Sequence, residues 1–439
     1  MEEQKNKSPE IENKDDKAVK PEKSSSNKNK KKRVAPDQTV RGKISKFIKK
    51  TPKKTLVIGG SVIGAILVIA LVIGIAGLAG LLSDKEYPVV DSTEEEAKTV
   101  MTLSIDGDTY DVKYELYRAF FLTYKNEVDG GNDAVWHGDD KDKYIEQIDE
   151  IIIDRVTEIY SAFAICKRIG FDIYSDSVES KIKENIRISV EGGSYGSSTI
   201  EGYDSYEAYL EALKSMNLNY SVQTLLFRYA IAIDAIDTYY IGTASSDDVD
   251  INLSVGVLEY TEDDVRSFYN SDNCVRVLRA SFQKGIYYTP LEKAYELKDK
   301  IASAANGAST LADKERAVFN SIVSSNLYAN INELQNGYII GRYNLERSYY
   351  GNMTDAAFTL AEGQVSDPID VVTDVENSYY ILYRTYKSDD HFENNYDEIK
   401  YIYLMNCVGK ITYDVASELE SSLSYTEFLQ NINHSEIRM

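Results

Sequence analysis

From Thr55 to Leu82 the chain runs TLVIGGSVIGAILVIALVIGIAGLAGLL without a single charge. Roughly 20 apolar residues, rising about 1.5 Å each, cross the hydrocarbon core of a bilayer, so this run predicts a membrane span. Beyond it the pattern turns amphipathic. Val100–Tyr110 alternates around Asp106-Gly107 and predicts a hairpin or short strand. Helical periodicity follows over Val112–Val128 and over Lys143–Lys167. In the latter, Ile145, Ile148, Ile152, Val156, Ile159, Phe163 and Cys166 recur close to every 3.6 residues. Ser175–Val190 predicts a charged helix, and Asp204–Leu213 another opened by Asp204 and Glu207 as a capping box. Asn219–Tyr240 predicts the most apolar helix. Between them EGGSYGSSTIEG (Glu191–Gly202) reads as a flexible connection. It lacks a following Lys-Ser/Thr and does not begin after a strand, so it is no phosphate cradle.

The pattern then becomes mixed. Residues Tyr260–Asp264 cap a helix over Asp263–Tyr269, and Cys274–Gln283 alternates as a strand. Helices are predicted over Leu291–Ala305 and Lys314–Ser325, and a strand over Asn336–Tyr343. Asp355–Arg384 reads as a short helix, a glycine turn, a strand entry at Ser-Asp-Pro and a final strand. Asp397–Leu423 forms a closing helix, with SYTEFLQNI as a last short one. The predicted fold class is α+β, mostly helical.

Composition adds an address. Residues 1–54 carry 18 Lys/Arg against 8 Asp/Glu and no aromatic residue besides Phe47, too little apolar surface to order a core, and predict a disordered tail. Arg41, Lys43, Lys46, Lys49, Lys50, Lys53 and Lys54 crowd one flank of the apolar run, while Asp84 and Glu86 follow the other. The positive-inside rule therefore puts the tail in the cytoplasm and everything after Ser83 outside. Gly77-Leu78-Ala79 offers the rival of a cleaved signal peptide, against which the long tail and long run argue. A lipobox beginning at Leu78 is excluded because Leu81 stands where the cysteine belongs.

After position 54 the chain holds 31 basic and 63 acidic residues, a net of −32. Phosphate binding needs the opposite sign, so nucleic acid is not a partner. The acidic surface keeps the ectodomain soluble and suits loosely held divalent cations. Asp106, Asp108 and Asp111 do not make a calcium loop, since the glycine is misplaced and no Glu follows at the required spacing. Cys166, Cys274 and Cys407 form neither CxxC nor a metal spacing, and Cys166 and Cys274 read as core residues. No hydrolase motif is present, and no cofactor is implied. The 35 tyrosines offer either a broad polypeptide-binding surface or simply core and flank packing.

The order of a helical region, then strand–helix–helix–strand–helix–strand, then a returning terminal helix resembles the secretion foldases and periplasmic chaperones of the PrsA and SurA type. In these a helical chaperone lobe carries an inserted parvulin-type prolyl isomerase domain. AAFTLAEGQVSDPI, with Gly363 and Ser366-Asp367-Pro368, and TEDDVRSFYN carry the resemblance most specifically. It implies a tail over 1–54, a span over 55–82, a SurA-N-like helical region over 98–272, a parvulin-like domain over 273–388 and a returning segment over 389–439.

By resemblance the parvulin site holds a histidine on its first strand and another on its last. Here Arg279 and Tyr380 occupy those positions, and His137, His391 and His434 lie outside the strands. The proline pocket maps to Tyr349 and Met353, with Phe358 in the helix after them. A further polar site position of the family falls within Phe319–Gln335 and is not assigned. Isomerisation needs an apolar hold on the proline and electrostatics that weaken amide resonance, and Arg supplies no acceptor. The expectation is therefore a membrane-anchored, extracytoplasmic chaperone that binds unfolded or secreted polypeptides, with weak or absent isomerase activity. Its rivals are an active isomerase and a non-catalytic cell-surface scaffold for one partner.

Overall fold

The computed structural model describes residues 87–129, 133–195, 198–242, 255–285, 289–325, 331–343, 347–372 and 377–437. The basic tail and the apolar run Thr55–Leu82 lie outside them. Among the described residues no helix is long and apolar enough to cross a membrane.

Asp106 and Gly107 take φ of 56° and 84°, the left-handed pair that a two-residue hairpin turn requires. They join β1 (Thr99–Ile105) to β2 (Asp108–Lys113) in an antiparallel pair. Val112 thus belongs to β2, not to the helix expected from it: it pairs with Met101 and is fully buried. The helix begins two residues later, as α1 (Tyr114–Asp129).

α2 (Lys141–Arg168) buries Ile148, Ile152, Val156, Ile159, Phe163 and Cys166 along one stripe, as the 3.6-residue period predicts. It packs against α5 (Tyr220–Ile241), whose Leu226, Phe227, Ala230 and Ile231 are buried. α3 (Asp176–Glu191) ends at Gly192, where φ 79° and ψ 170° turn the chain directly into extended backbone. The expected flexible connection is consequently a short hairpin, β3 (Gly193–Tyr195) with β4 (Ser198–Ile200). A second correction concerns α4 (Tyr206–Ser215). Its cap is Ser205, which accepts the Ala208 N–H, and not the Asp204–Glu207 box one residue earlier.

The second part of the chain is built on a four-stranded antiparallel sheet. Thr261 and Asp264 form a reciprocal capping box at the start of α6 (Glu262–Asn270). β5 (Cys274–Gln283), α7 (Pro290–Asn306), α8 (Leu311–Ser324), α9 (Ile331–Asn336) and β6 (Tyr338–Gly341) follow. Then come α10 (Arg347–Thr359), β7 (Ile369–Val372) and β8 (Asn377–Thr385), giving the strand order β6-β5-β8-β7. Because side chains alternate across a strand, β5 serves two cores. Leu278, Ala280 and Phe282 meet α7 and α8, whereas Val275 and Val277 meet Met353 and Ala357 of α10.

After α11 (Asp389–Asn394), helix α12 (Tyr396–Ser421) ties the parts together. Its first turn places Ile399 against Phe268, Tyr269, Cys274 and Ile339. Its later turns place Val408, Val415 and Leu419 in the core of the helical region. The tail that follows is more than the single short helix expected. β9 (Ser424–Tyr425) pairs with β1 at Met101 and Thr102, and only then comes α13 (Glu427–Gln430). The molecule is α+β. All three cysteines are free, with Cys166 and Cys274 buried.

Candidate functional site

The strand register decides which candidate residues share a face. Tyr380 on β8 lies across from Ser281, and Leu382 lies across from Arg279, so Arg279 and Tyr380 are diagonal neighbours on adjacent strands. Both occupy the α10 side, since Tyr380 and Leu382 pack with Val275, Val277, Met353 and Ala357. The structure therefore brings Arg279, Tyr380 and Met353 to one face, with Phe358 packed against the same cluster. Tyr349 lies in the first turn of α10, its side chain outside the described part of the structure.

Both Tyr380 and Met353 are buried there. Tyr380 retains 5% of its surface and Met353 6%. The Arg279 guanidinium lies 3.4 Å from the centroid of the Tyr338 ring and 5.9 Å from that of Tyr380. Its charge is therefore engaged by two aromatic faces, an arrangement worth about 0.5–2 kcal/mol depending on desolvation. Phe358 is covered likewise by the Arg342 guanidinium at 4.4 Å. Sequence reasoning missed Tyr338. Only the pairing of Val277 with Tyr338 sets that ring diagonal to Arg279. A tyrosine inside a predicted strand gave no further signal.

Polar groups are instead concentrated on the opposite face, near the start of β5. Arg276 is buried and donates to both carboxylate oxygens of Glu315, at 3.0 and 2.8 Å, and to the Asn336 carbonyl at 2.7 Å. Thr385 donates to the same carboxylate at 2.6 Å. His391 joins this group by donating from Nε2 to the Asn336 carbonyl at 2.6 Å and accepting at Nδ1 from the Tyr269 hydroxyl at 3.0 Å. Burial, reinforced by Arg276, pushes its imidazole down to about 4, so His391 is neutral at physiological pH. It fastens α11 to α6 and to the end of α9. His434 lies in the helical region, where its Nε2 is 2.9 Å from the Tyr117 hydroxyl, which donates to Asp149 at 2.6 Å.

Metal chemistry finds no foothold among the described residues, where no cluster of three or more His, Cys, Asp or Glu could hold an ion. Asp106 and Asp108, at the hairpin tip, are ion-paired with Arg168 and Lys167 of α2.

No protein-family description matches this chain, and no curated protein does. Solved structures do. Foldase protein PrsA from Streptococcus pneumoniae str. Canada MDR_19A aligns at 12% identity over 73% of this chain and 92% of its own, with a TM-score of 0.21. The foldase protein (PrsA) from Lactococcus lactis aligns at 16% identity over 78% of this chain and 100% of its own, with a TM-score of 0.20. Both neighbours are PrsA foldases.

Proposed function

We propose that this chain is a membrane-anchored, extracytoplasmic folding factor of the PrsA and SurA type. It binds unfolded secreted polypeptides, and its sheet domain is a scaffold with weak or no prolyl isomerase activity. The observation that supports polypeptide binding is the surface. Seven of the twelve exposed large apolar or aromatic side chains among the described residues are tyrosines: Tyr174, Tyr203, Tyr260, Tyr295, Tyr401, Tyr413 and Tyr425. Tyrosine gives a large contact area with a polar end at low entropic cost, which suits many client sequences. What speaks against the isomerase rival is that Arg279 and Tyr380 stand where the family has its histidines, and that the Arg279 guanidinium lies against the Tyr338 and Tyr380 rings. Anchoring rests on the apolar run Thr55–Leu82 and its basic flank.

The test uses the purified full-length chain in detergent micelles, in two assays run together. One follows aggregation of a chemically unfolded reporter protein, and the other a protease-coupled X–Pro peptide. Suppressed aggregation without acceleration of isomerisation is the expected result. Acceleration that Arg279→Ala reduces would make the chain an enzyme. Failure in both assays would leave the single-partner scaffold. Membrane topology is read separately: carbonate extraction should leave the chain in the pellet, and external protease should spare the basic tail.

A further inference from the structure

The face of the sheet turned away from α10 carries an opening of its own. A cavity of about 370 Å³ lies between the last turns of α7, the turn after α10 and the end of β8. Ile301, Ala302, Ala305 and Val365 form its apolar walls, and Asn306 and Tyr383 add a carboxamide and a hydroxyl. Among the described residues neither of those polar groups has a hydrogen-bond partner in the protein. The volume falls within the roughly 300–1,000 Å³ typical of ligand pockets. Gly363 shapes the mouth: its φ of +83° needs a glycine, and a Cβ there would approach the Tyr383 hydroxyl to 3.9 Å.

Val365 adds directionality. It bridges Tyr383 on β8, flanked by Ser366 N–H to the Leu382 carbonyl at 2.8 Å and Arg384 N–H to the Gln364 carbonyl at 2.9 Å. In an antiparallel pair flanked this way, the residue's own N–H and C=O point away from the partner strand. Those of Val365 accordingly face outward, and neither is bonded among the described residues. An unpaired donor and acceptor on a sheet edge is a template for extended backbone. Here it stands at the rim of an apolar cavity.

We propose that this edge cavity is a client subsite: an extended polypeptide segment pairs its backbone with Val365 and seats one bulky apolar or aromatic side chain between α7 and Tyr383. The inference rests on the polypeptide-binding reading above and locates one of its contacts, on the side opposite Arg279 and Tyr380. The neighbouring acids Asp367 and Asp370 are already paired with Lys298 and Lys284. The surplus acid of the ectodomain favours segments carrying Lys or Arg beside the seated residue.

The experiment is fluorescence anisotropy of a labelled nine-residue peptide, central Phe flanked by Lys, titrated with the full-length chain. Ala302→Trp, which fills the cavity, should weaken binding at least tenfold, and Tyr383→Phe should weaken it a few-fold. A peptide with Ala for Phe should lose affinity on the wild-type chain but no further on Ala302→Trp, as a shared contact requires. Thermal melts establish that the variants fold. Should Ala302→Trp not fold, amide exchange of wild-type Val365 decides: slowing on peptide addition is expected, and unchanged exchange overturns the subsite. A folded Ala302→Trp that binds the peptide with wild-type affinity overturns it too. A wild-type chain that suppresses aggregation but ignores the peptide overturns the subsite alone. One that does neither overturns the polypeptide-binding reading as well.

Discussion

Ser366 lets β8 keep its hydrogen bonds where the neighbouring strand is interrupted by proline. Its hydroxyl accepts the buried Leu382 N–H at 2.9 Å, just before Pro368 redirects the chain into β7. Ser366→Ala should leave that donor without an acceptor and cost about 1–3 kcal/mol. The check is a lower urea midpoint with an unchanged slope. At this scale the sequence was legible in part. Ser-Asp-Pro announces a strand entry because proline cannot donate to a ladder, but nothing local announces that the serine hydroxyl substitutes for a carbonyl. The candidate site divides the same way. Arg279, Tyr380, Met353 and Phe358 were singled out by the family resemblance, whereas Tyr338 enters only through cross-strand register. The burial of Tyr380 and Met353 is likewise a property of packing, which no spacing reveals.

Elements were legible wherever one period ran uninterrupted. β5 spans the predicted Cys274–Gln283, and α2 and α5 lie within a few residues of their predicted limits. Misreadings fell where a strand is short or a cap ambiguous. β2, β3, β4 and β9 have six residues or fewer, too few for alternation to outweigh neighbouring helical signals. Ser205 and Asp204 are both good caps, and only geometry selects between them. One element-level contact was invisible beforehand. Where α12 passes the end of β6, Asn406 accepts the Tyr343 N–H at 2.9 Å. A Cβ on Gly409 would fall 1.5 Å from the Tyr343 carbonyl oxygen. Gly409→Ala must therefore push the loop off the helix, an overpacking cost of at least about 1–3 kcal/mol. Because α12 serves both cores, the variant should melt at a lower temperature and lose protection from proteolysis in residues 338–343 first. A variant that melts like the wild type would show that the loop relaxes freely.

For the whole molecule, buried acids set the response to pH. Burial pushes Asp154 up to about 7, helped by Glu420, and Asp237 up to about 7, helped by Asp234. Asp149 reaches about 6 by burial despite the Tyr117 hydrogen bond. Each is held protonated in the folded chain above its unfolded value. Its contribution is therefore present below roughly pH 4 and lost as pH rises through the folded value. His391 and His434 act in the opposite sense, since burial lowers both. Their contribution is present above roughly pH 6.5 and declines as pH falls. Between pH 5 and 7.5 the three carboxyls outweigh the two imidazoles, and growing negative charge adds self-repulsion to a chain already at −22. The melting temperature should accordingly be higher at pH 5.5 than at pH 7.5. A scan showing the reverse order would refute this balance, and Asp237→Asn should flatten the slope.

The pairing of β1 with β9 has a consequence for how the chain comes into being. Met101 meets Tyr425 more than three hundred positions apart, and one side of α2 is covered only when α12 arrives. A chain emerging from its amino end can complete the four-stranded sheet once Thr385 is out, long before the helical region is closed. Until α12 and the segment after it follow, the side of α2 that meets α12 stands open to water, in the state that recruits aggregation and chaperones alike. A protein proposed to shelter unfinished chains thus passes through its own unfinished stage, and it becomes competent to help only after its final segment has been delivered.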